Sequence, residues 1–356
     1  MTVEQISGAS ASTSKRKSEH IRICLQENVA GEGIETGFDQ FRFRHNALPE
    51  IAFDDIRLDT EWLGRRMRTP LLVSSMTGGT NEAGAINRRL AEAAETRGWA
   101  IGLGSMRAAI EQEELAASFY IRDIAPSVPV IANLGAVQLN YGYGVDACRK
   151  AVEIAEADAL VLHLNSMQEV FQPEGDTNFR SLLPRIGEVC RALSVPVGIK
   201  EVGWGIDADT AAALASAGAA FIDVAGAGGT SWSQVEKYRQ NDPMRRLAAE
   251  AFAGWGIPTA ESVREVKSRL PNTTVIASGG LQHGVDAAKS IALGADIAGF
   301  GRALLPRAAN GETRVSVEQL IEQFERIEFE LRAAMFGIGA AAISDLQHTT
   351  RLIPAR

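Results

Sequence analysis

From Ala159 to Phe171 the chain reads ALVLHLNSMQEVF, an apolar β-like run that ends in four polar residues, His163, Asn165, Gln168 and Glu169. Residues two apart in a strand share a face, so His163 and Asn165 point the same way, and the turn that follows can bring Gln168 and Glu169 over the same mouth. A strand that stays apolar on both faces until its last residues belongs in a parallel sheet covered by helices. Polar groups gathered at its C-terminal end sit where a (β/α)8 barrel keeps its chemistry. The plainer alternative is a strand end whose polar groups only satisfy one another.

The same rhythm recurs eight times. Strand candidates start at Pro70 (PLLVSS), Ala100 (AIGLGS), Pro129 (PVIANLG), Ala159 (ALVLHLN), Val195 (VPVGIKE), Phe221 (FIDVAG), Thr273 (TTVIASGG) and Asp296 (DIAGFG). Ala-rich stretches of helical period, such as GAINRRLAEAAETRG and DADTAAALASAG, lie between them. The expected architecture is one α/β domain, a (β/α)8 TIM barrel over residues 70–345 with an N-terminal extension. Residues 1–14, rich in Ser, Ala and Thr, read as an unstructured lead, and 346–356 as a C-terminal tail. Segment 15–69 precedes the barrel, and its FDQFRFRHN and FDDIRLDTEWLG pieces are expected to cap the bottom of the sheet. Residues 226–258 exceed an ordinary βα loop; their Gly-rich start before Trp232 suits either a mobile lid or an insertion against a neighbouring subunit.

The 356 residues are 46% hydrophobic, enough for a full core, and 44 acidic against 36 basic residues leave a net charge of −8. That balance argues against a general nucleic-acid surface, so any anion must be held by a local site. Cys24, Cys148 and Cys190 are scattered without CxxC spacing, which indicates neither a disulfide framework nor a structural zinc site. The N-terminal stretch lacks the apolar core of a signal peptide, and no later run is long enough to span a bilayer. A soluble, cytoplasmic protein that binds neither membrane nor nucleic acid is expected.

After the seventh strand, Gly279 and Gly280 turn into a helix starting near Gly284, whose N-terminus is expected to aim at the opening; after the eighth come Gly299, Gly301 and Arg302. Amides at a helix N-terminus beside a guanidinium make an anion site, and barrels commonly hold a phosphate in these two loops. At the first rim position Ser75, Met76 and Thr77 stand beside two glycines, so backbone can lie flat against a planar ring. Ser105, Asn133 and Lys200 add donors at further strand ends. Lys200 either neutralises a developing anion or pairs with Glu201 or another rim neighbour. A flavin needs both hydrogen bonds along its pyrimidine edge and positive charge near N1.

Taken in order, SKRKSEH, SSMTGGT, GLGSMR, ANLGA, LHLNSMQE, VGIKEVGWG, DVAGAGGTSW, IASGG and GFGRALL closely resemble the type 2 isopentenyl-diphosphate isomerases, from about Arg16 to about Leu305. The combination of RKxxH with HLNxxQE is more specific than any single piece. The resemblance implies an FMN-dependent barrel, reduced by NADPH or NADH, that requires Mg²⁺, assembles as a homo-oligomer (tetramer or octamer) and interconverts isopentenyl and dimethylallyl diphosphate. Position by position, Arg16 and Lys17 match the pair that binds the diphosphate, with His20 close by. Without the resemblance, that KRK run reads as a solvated basic patch. Ser105, Met106 and Arg107 match a segment touching cofactor and substrate. Ser75, Met76, Thr77, Asn133, Lys200, Thr230 and the regions of Gly279, Gly280, Gly301 and Arg302 match FMN contacts, Gln168 a substrate contact, and Glu169 the Mg²⁺ ligand. One departure concerns Leu281, Gln282 and His283, which stand where many relatives carry a basic residue; phosphate charge then rests on backbone amides and Arg302.

Moving an allylic double bond needs a proton added at one carbon and removed at another in a dry pocket. No obvious acidic pair faces an alkene among these motifs. The expected division of labour makes reduced FMN the acid and base, Gln168 the group that orients the alkene or relays the proton, and His163 and Asn165 the residues that position the diphosphate and metal-bound water. The nearest rival is an FMN-dependent 2-hydroxy-acid oxidoreductase with His283 as its base, though no Arg follows it closely. A barrel that merely binds a phosphorylated ligand is a second.

Overall fold

A computed structural model describes residues 3–311 and 313–355, with the side chains of 3–14 and 313 left out. The expectation of an unstructured lead over 1–14 differs from the structure from Val3 onward, where the chain is helical, and its first two residues lie outside the described ones. Eight parallel strands close the barrel: β1 (Leu71–Val73), β2 (Ala100–Gly102), β3 (Val130–Gly135), β4 (Ala159–His163), β5 (Val197–Lys200), β6 (Phe221–Asp223), β7 (Thr274–Ala277) and β8 (Ile297–Phe300). Each pairs with its neighbours in sequence, and β8 closes on β1. The ladders stop short of the sequence runs. Ser75, Ser105 and Asn165 lie beyond them, in the loops of the rim.

The strand period sorts the apolar residues into two cores. Leu71, Val73, Ile101, Val130, Leu160, Ile199 and Val275 face the surrounding helices. Their alternates, Leu72, Ala100, Ile131, Ala159, Val161, Phe221, Ile276 and Ile297, fill the barrel. One step further along each strand, the same inward parity places Ser74, Asn133, His163, Lys200, Asp223 and Ser278 in the layer at the C-terminal mouth. Gly198 holds the inward position of β5 because the Phe221 ring takes the space; a Cβ there would lie 2.0 Å from it.

Below this core, the hairpin Thr60–Trp62/Arg65–Met67 sends Trp62 and Met67 into the barrel interior, where Trp62 meets Phe221 edge-on at 5.2 Å. The hairpin closes the floor of the barrel. The other piece, Phe41–Phe43, instead pairs antiparallel with Leu352–Pro354 of the tail. Helix α1 (Val3–Gln26) leads into the extension, and α2 (Asn81–Arg97) follows β1, capped by Thr80 Oγ1 at one end and left-handed Gly98 at the other. Short α3 (Ser166–Phe171) follows β4 directly. Residues 226–258 hold two helices, α4 (Trp232–Arg239) and α5 (Pro243–Glu250). The bridge Ala30–Thr230 ties this insertion to the N-terminal extension, and Ala227–Pro258 brings its own two ends together. After β7 comes α6 (Gly284–Ala292), and after β8 the long α7 (Thr313–Phe336), which packs on α2 and α6. Among the described residues no helix is long and apolar enough to cross a membrane.

Candidate active site

The barrel mouth opens into a cleft that takes in residues from all eight strand ends, from α1 and from the 226–258 insertion. Its wall includes Arg16, Lys17, His20, Ser75, Met76, Thr77, Ser105, Arg107, Asn133, His163, Asn165, Gln168, Glu169, Lys200, Thr230, Gly279, Gly280, Gly301 and Arg302, nearly the whole expected set. Met106 is the exception. Its side chain is buried in the core and its backbone N–H donates to Asn133 O (2.8 Å), so it supports the rim from behind.

Helix α1 crosses the mouth with Arg16, Lys17, His20 and Cys24 on one face, as a period of 3.6 requires. Burial, helped by the charge of Arg16, lowers the Lys17 ammonium to about 8. The His20 ring meets Trp232 edge-on at 5.1 Å, and its Nε2 lies 2.9 Å from Glu236 Oε1. Burial keeps His20 below its ordinary value against the pull of Glu236, so the neutral ring donates Nε2–H to the carboxylate.

Glu236, on α4, is one residue that sequence reasoning missed. Its Oε1 also accepts from Gln168 Nε2 (3.1 Å), and its Oε2 from Arg239 Nη1 (2.6 Å). Burial alone would raise this carboxyl; the His20 hydrogen bond, Arg239 and Gln168 outweigh it and hold it at about 2. Gln168 Oε1 accepts from Asn165 Nδ2 at 3.4 Å, which fixes the amide with its NH₂ toward Glu236. Across the mouth, Asn133 Nδ2 donates to Leu103 O (3.0 Å), so Asn133 Oδ1 accepts from His163 Nδ1–H (2.7 Å). His163 Nε2 is thereby left an acceptor. Burial, with Lys200 and Lys17 nearby, pushes His163 down to about 3, so it is neutral throughout the physiological range.

Glu169 accepts from Asn165 Nδ2 (2.7 Å) and from the Asp176 backbone N–H (2.6 Å), and burial raises its carboxyl against those bonds. Arg107 is held by two carboxylates, Glu111 (2.8 Å) and Asp176 (2.9 Å), and lies 5.5 Å from the Tyr143 ring centroid. At the other side of the mouth Lys200 Nζ donates to the Glu201 backbone carbonyl. The Glu201 carboxylate turns away to accept the N–H groups of Val202, Gly203 and Trp204 at 2.6–2.8 Å, so the alternative reading of Lys200, a side-chain pair with Glu201, does not form. The register puts Asp223 beside Lys200, and Asp223 Oδ1 accepts from Ser278 Oγ (2.6 Å).

The loops after β6 and β7 meet as backbone against backbone. Gly279 has φ +105°, and a Cβ on it would lie 2.2 Å from Gly226 O. The expected use of the α6 N-terminus is corrected by the structure: Gln282 N–H donates to Asp286 (2.9 Å) and Gly284 N–H to Glu330 (2.7 Å), so its amides already serve carboxylates. His283 is half exposed, 3.2 Å from Asp286 and off the cleft wall.

These residues suit the expected cofactors. Ser74 Oγ, Gln138 Oε1 and Asn165 Oδ1 are buried at the cleft wall without a protein partner, a costly state that a bound group relieves. The glycine loops, Arg302 and the Lys200 ammonium supply what a flavin phosphate and pyrimidine edge require. Glu169 offers one hard oxygen donor, and Mg²⁺ takes one or two carboxylates beside its waters and phosphates.

Residues 143–352 match the FMN-dependent dehydrogenase family. The fold is shared by solved structures of (S)-mandelate dehydrogenase (TM-score 0.67, 19% identity, 98% of this chain and 99% of that one) and mandelate oxidase (TM-score 0.64, 19% identity, 98% and 99%). In sequence the chain is 51% identical to the isopentenyl-diphosphate delta-isomerase of Oceanobacillus iheyensis, covering 95% of each. It is 48% identical to that of a Nostoc species, covering 96% of this chain and 97% of the relative. A barrel of the flavin type combined with identity of that extent places the chain in the isopentenyl-diphosphate delta-isomerase family.

Proposed function

We propose that this protein interconverts isopentenyl and dimethylallyl diphosphate, with FMN, Mg²⁺ and NADPH or NADH as reductant. The observation that carries the reading is a single cleft with two chemistries. One wall is glycine loops with Lys200 and Arg302, suited to a flavin; the other is Arg16, Lys17, Arg107 and Glu169, suited to a metal-bound diphosphate. The reduced ring, when bound, supplies a proton donor and acceptor at N5 and an electron-rich face. Arg16 and Lys17 hold the diphosphate from above, and Glu169 would hold Mg²⁺ with Asn165 oriented beside it. Gln168 places its amide NH₂ between the cleft and the Glu236 carboxylate, and so fixes the alkene end. Neutral His163 would offer Nε2 as an acceptor to a water of the Mg²⁺ shell. Trp232 and α1 cover the mouth and keep water out.

His283, the base a hydroxy-acid oxidoreductase would use, stands off the cleft, which favours the isomerase. The test is anaerobic: protein with FMN, NADPH, Mg²⁺ and isopentenyl diphosphate should yield the dimethylallyl product, and omitting the reductant should abolish it. Oxidation of a 2-hydroxy acid without isomerisation would reverse the assignment. We also place the protein in the cytoplasm as a homo-oligomer of four or eight copies. Met244, Leu247 and Trp255, 66%, 72% and 57% exposed on the insertion, support assembly through that face. Sedimentation at working concentration checks it, and a monomer would rule it out.

A further inference from the structure

We infer that Asp176 makes the diphosphate clamp selective for metal-complexed ligand, an inference that rests on the isomerase reading above. Asp176 is off the cleft wall, behind two residues that are on it. Its Oδ2 accepts from Arg107 Nη1 (2.9 Å) and Gln138 Nε2 (3.1 Å), and its backbone N–H donates to Glu169 Oε2 (2.6 Å). One short loop thus joins the cation that meets phosphate to the carboxylate that meets metal. Arg107 is also bound by Glu111 (2.8 Å), so one positive charge faces two negative ones. A bare diphosphate must share Arg107 with Asp176 and so meets a carboxylate beside its own charge. A cation on Glu169 supplies Asp176 with a replacement counter-charge as Arg107 turns to the phosphate.

The neighbouring amides point the same way. Gln138 and Asn165 are 5% and 4% exposed, and their NH₂ groups are committed to Asp176 and Glu169. Their carbonyl oxygens, Oε1 and Oδ1, have no protein partner. Two buried acceptors beside the clamp repel phosphate oxygens and suit the waters of a hydrated divalent ion. Asp176 is therefore a positioning residue that sets which ionic form of the ligand is bound.

The test measures calorimetric binding of inorganic pyrophosphate to the FMN-loaded protein, with and without Mg²⁺. Wild type should bind about tenfold or more tightly with Mg²⁺, whereas near-isosteric Asp176→Asn should bind metal-free pyrophosphate more tightly and keep an Mg²⁺ gain of about threefold or less. A merely structural role would weaken both arms together. That result, or an unchanged Mg²⁺ gain, overturns the inference. If Asp176→Asn does not load FMN, Gln138→Met, which removes a donor to Asp176 and an unpartnered acceptor, must also shrink the Mg²⁺ gain, and an unchanged gain is equally fatal. Wild-type turnover is assayed in parallel. An active isomerase that binds pyrophosphate equally well without Mg²⁺ sinks this inference alone, and an inactive protein with the Mg²⁺ gain sinks the isomerase reading alone.

Discussion

Gln168 is an amide, neither acid nor base near neutrality, yet both ends of its side chain are hydrogen-bonded and its NH₂ rests on the anionic Glu236. Gln168→Ala should cut kcat by roughly 10²-fold or more while FMN content stays normal. Unchanged turnover would remove the residue from the chemistry. Lys17 yields a pH prediction with a definite sign. Its free-enzyme value of about 8 means that binding a diphosphate, which favours the ammonium, must take up a proton above that pH. KM should therefore rise as pH climbs past about 8, and a flat KM between pH 7 and 9 would contradict it. His163, Asn165, Gln168 and Glu169 were legible because polar letters break an apolar run at a strand end. Asp223 carries the same signal in FIDVAG, since counting inward from Phe221 puts it on the mouth layer beside Lys200. Glu236 gave no such signal. It lies in SWSQVEKYR, an ordinary polar helix, and only tertiary folding buries it against His20.

Helices α1 and α4 meet through charge as well as packing. Arg239 binds Glu236 (2.6 Å), Glu19 (3.0 Å) and Glu174 (3.0 Å), and Arg16 lies 3.6 Å from Glu174. Ile23, Val29 and Val235 form a small apolar cluster beside this network. Removing one partner of a buried ion pair costs about 3–5 kcal/mol because the other charge is stranded. Glu236→Gln takes one of three carboxylates from Arg239, which keeps Glu19 and Glu174, so the cost falls below that figure, but the His20 contact weakens and α1 should detach more often from the mouth. Limited trypsin digestion at Lys15–Lys17 should accelerate several-fold, and KM for the diphosphate should rise. An unchanged cleavage rate would show that apolar packing alone holds α1. The eight strands could be read from sequence because parallel strands are apolar on both faces. The α5 helix carries a local signal that the reading of 226–258 as a lid or an insertion does not use: Asp242 before Pro243 is an N-cap followed by a proline at the first helical position. The fate of the α6 N-terminus was not legible. Its amide at Gly284 is taken by Glu330, 46 residues downstream on α7, and no local pattern reports a partner at that separation.

At the scale of the whole molecule, the barrel separates stability from chemistry along its axis. Titratable groups lie in the layer at the C-terminal mouth, whereas the interior below it is apolar and sealed by Trp62 and Met67 from the preceding hairpin. A net charge of −8 makes this separation useful, because cationic groups gathered in one cleft stand out against an otherwise repulsive surface for an anionic ligand. Trp62 tests the division. Its indole is 8% exposed and packs edge-on against Phe221, whose ring in turn fills the space left by Gly198. Trp62→Ala opens a cavity at the barrel floor and should cost about 3–5 kcal/mol. With roughly 2.1 cal/mol/K of unfolding entropy per residue over 356 residues, Tm should fall by roughly 4–7 °C. Below that melting point FMN affinity and kcat should match wild type, because between the lost ring and the mouth lies the apolar layer of Leu72, Ile131, Val161 and Ile276. A variant that keeps its Tm but loses activity would place the floor of the barrel in the catalytic machinery, and with it the argument that inward parity alone divides core from site.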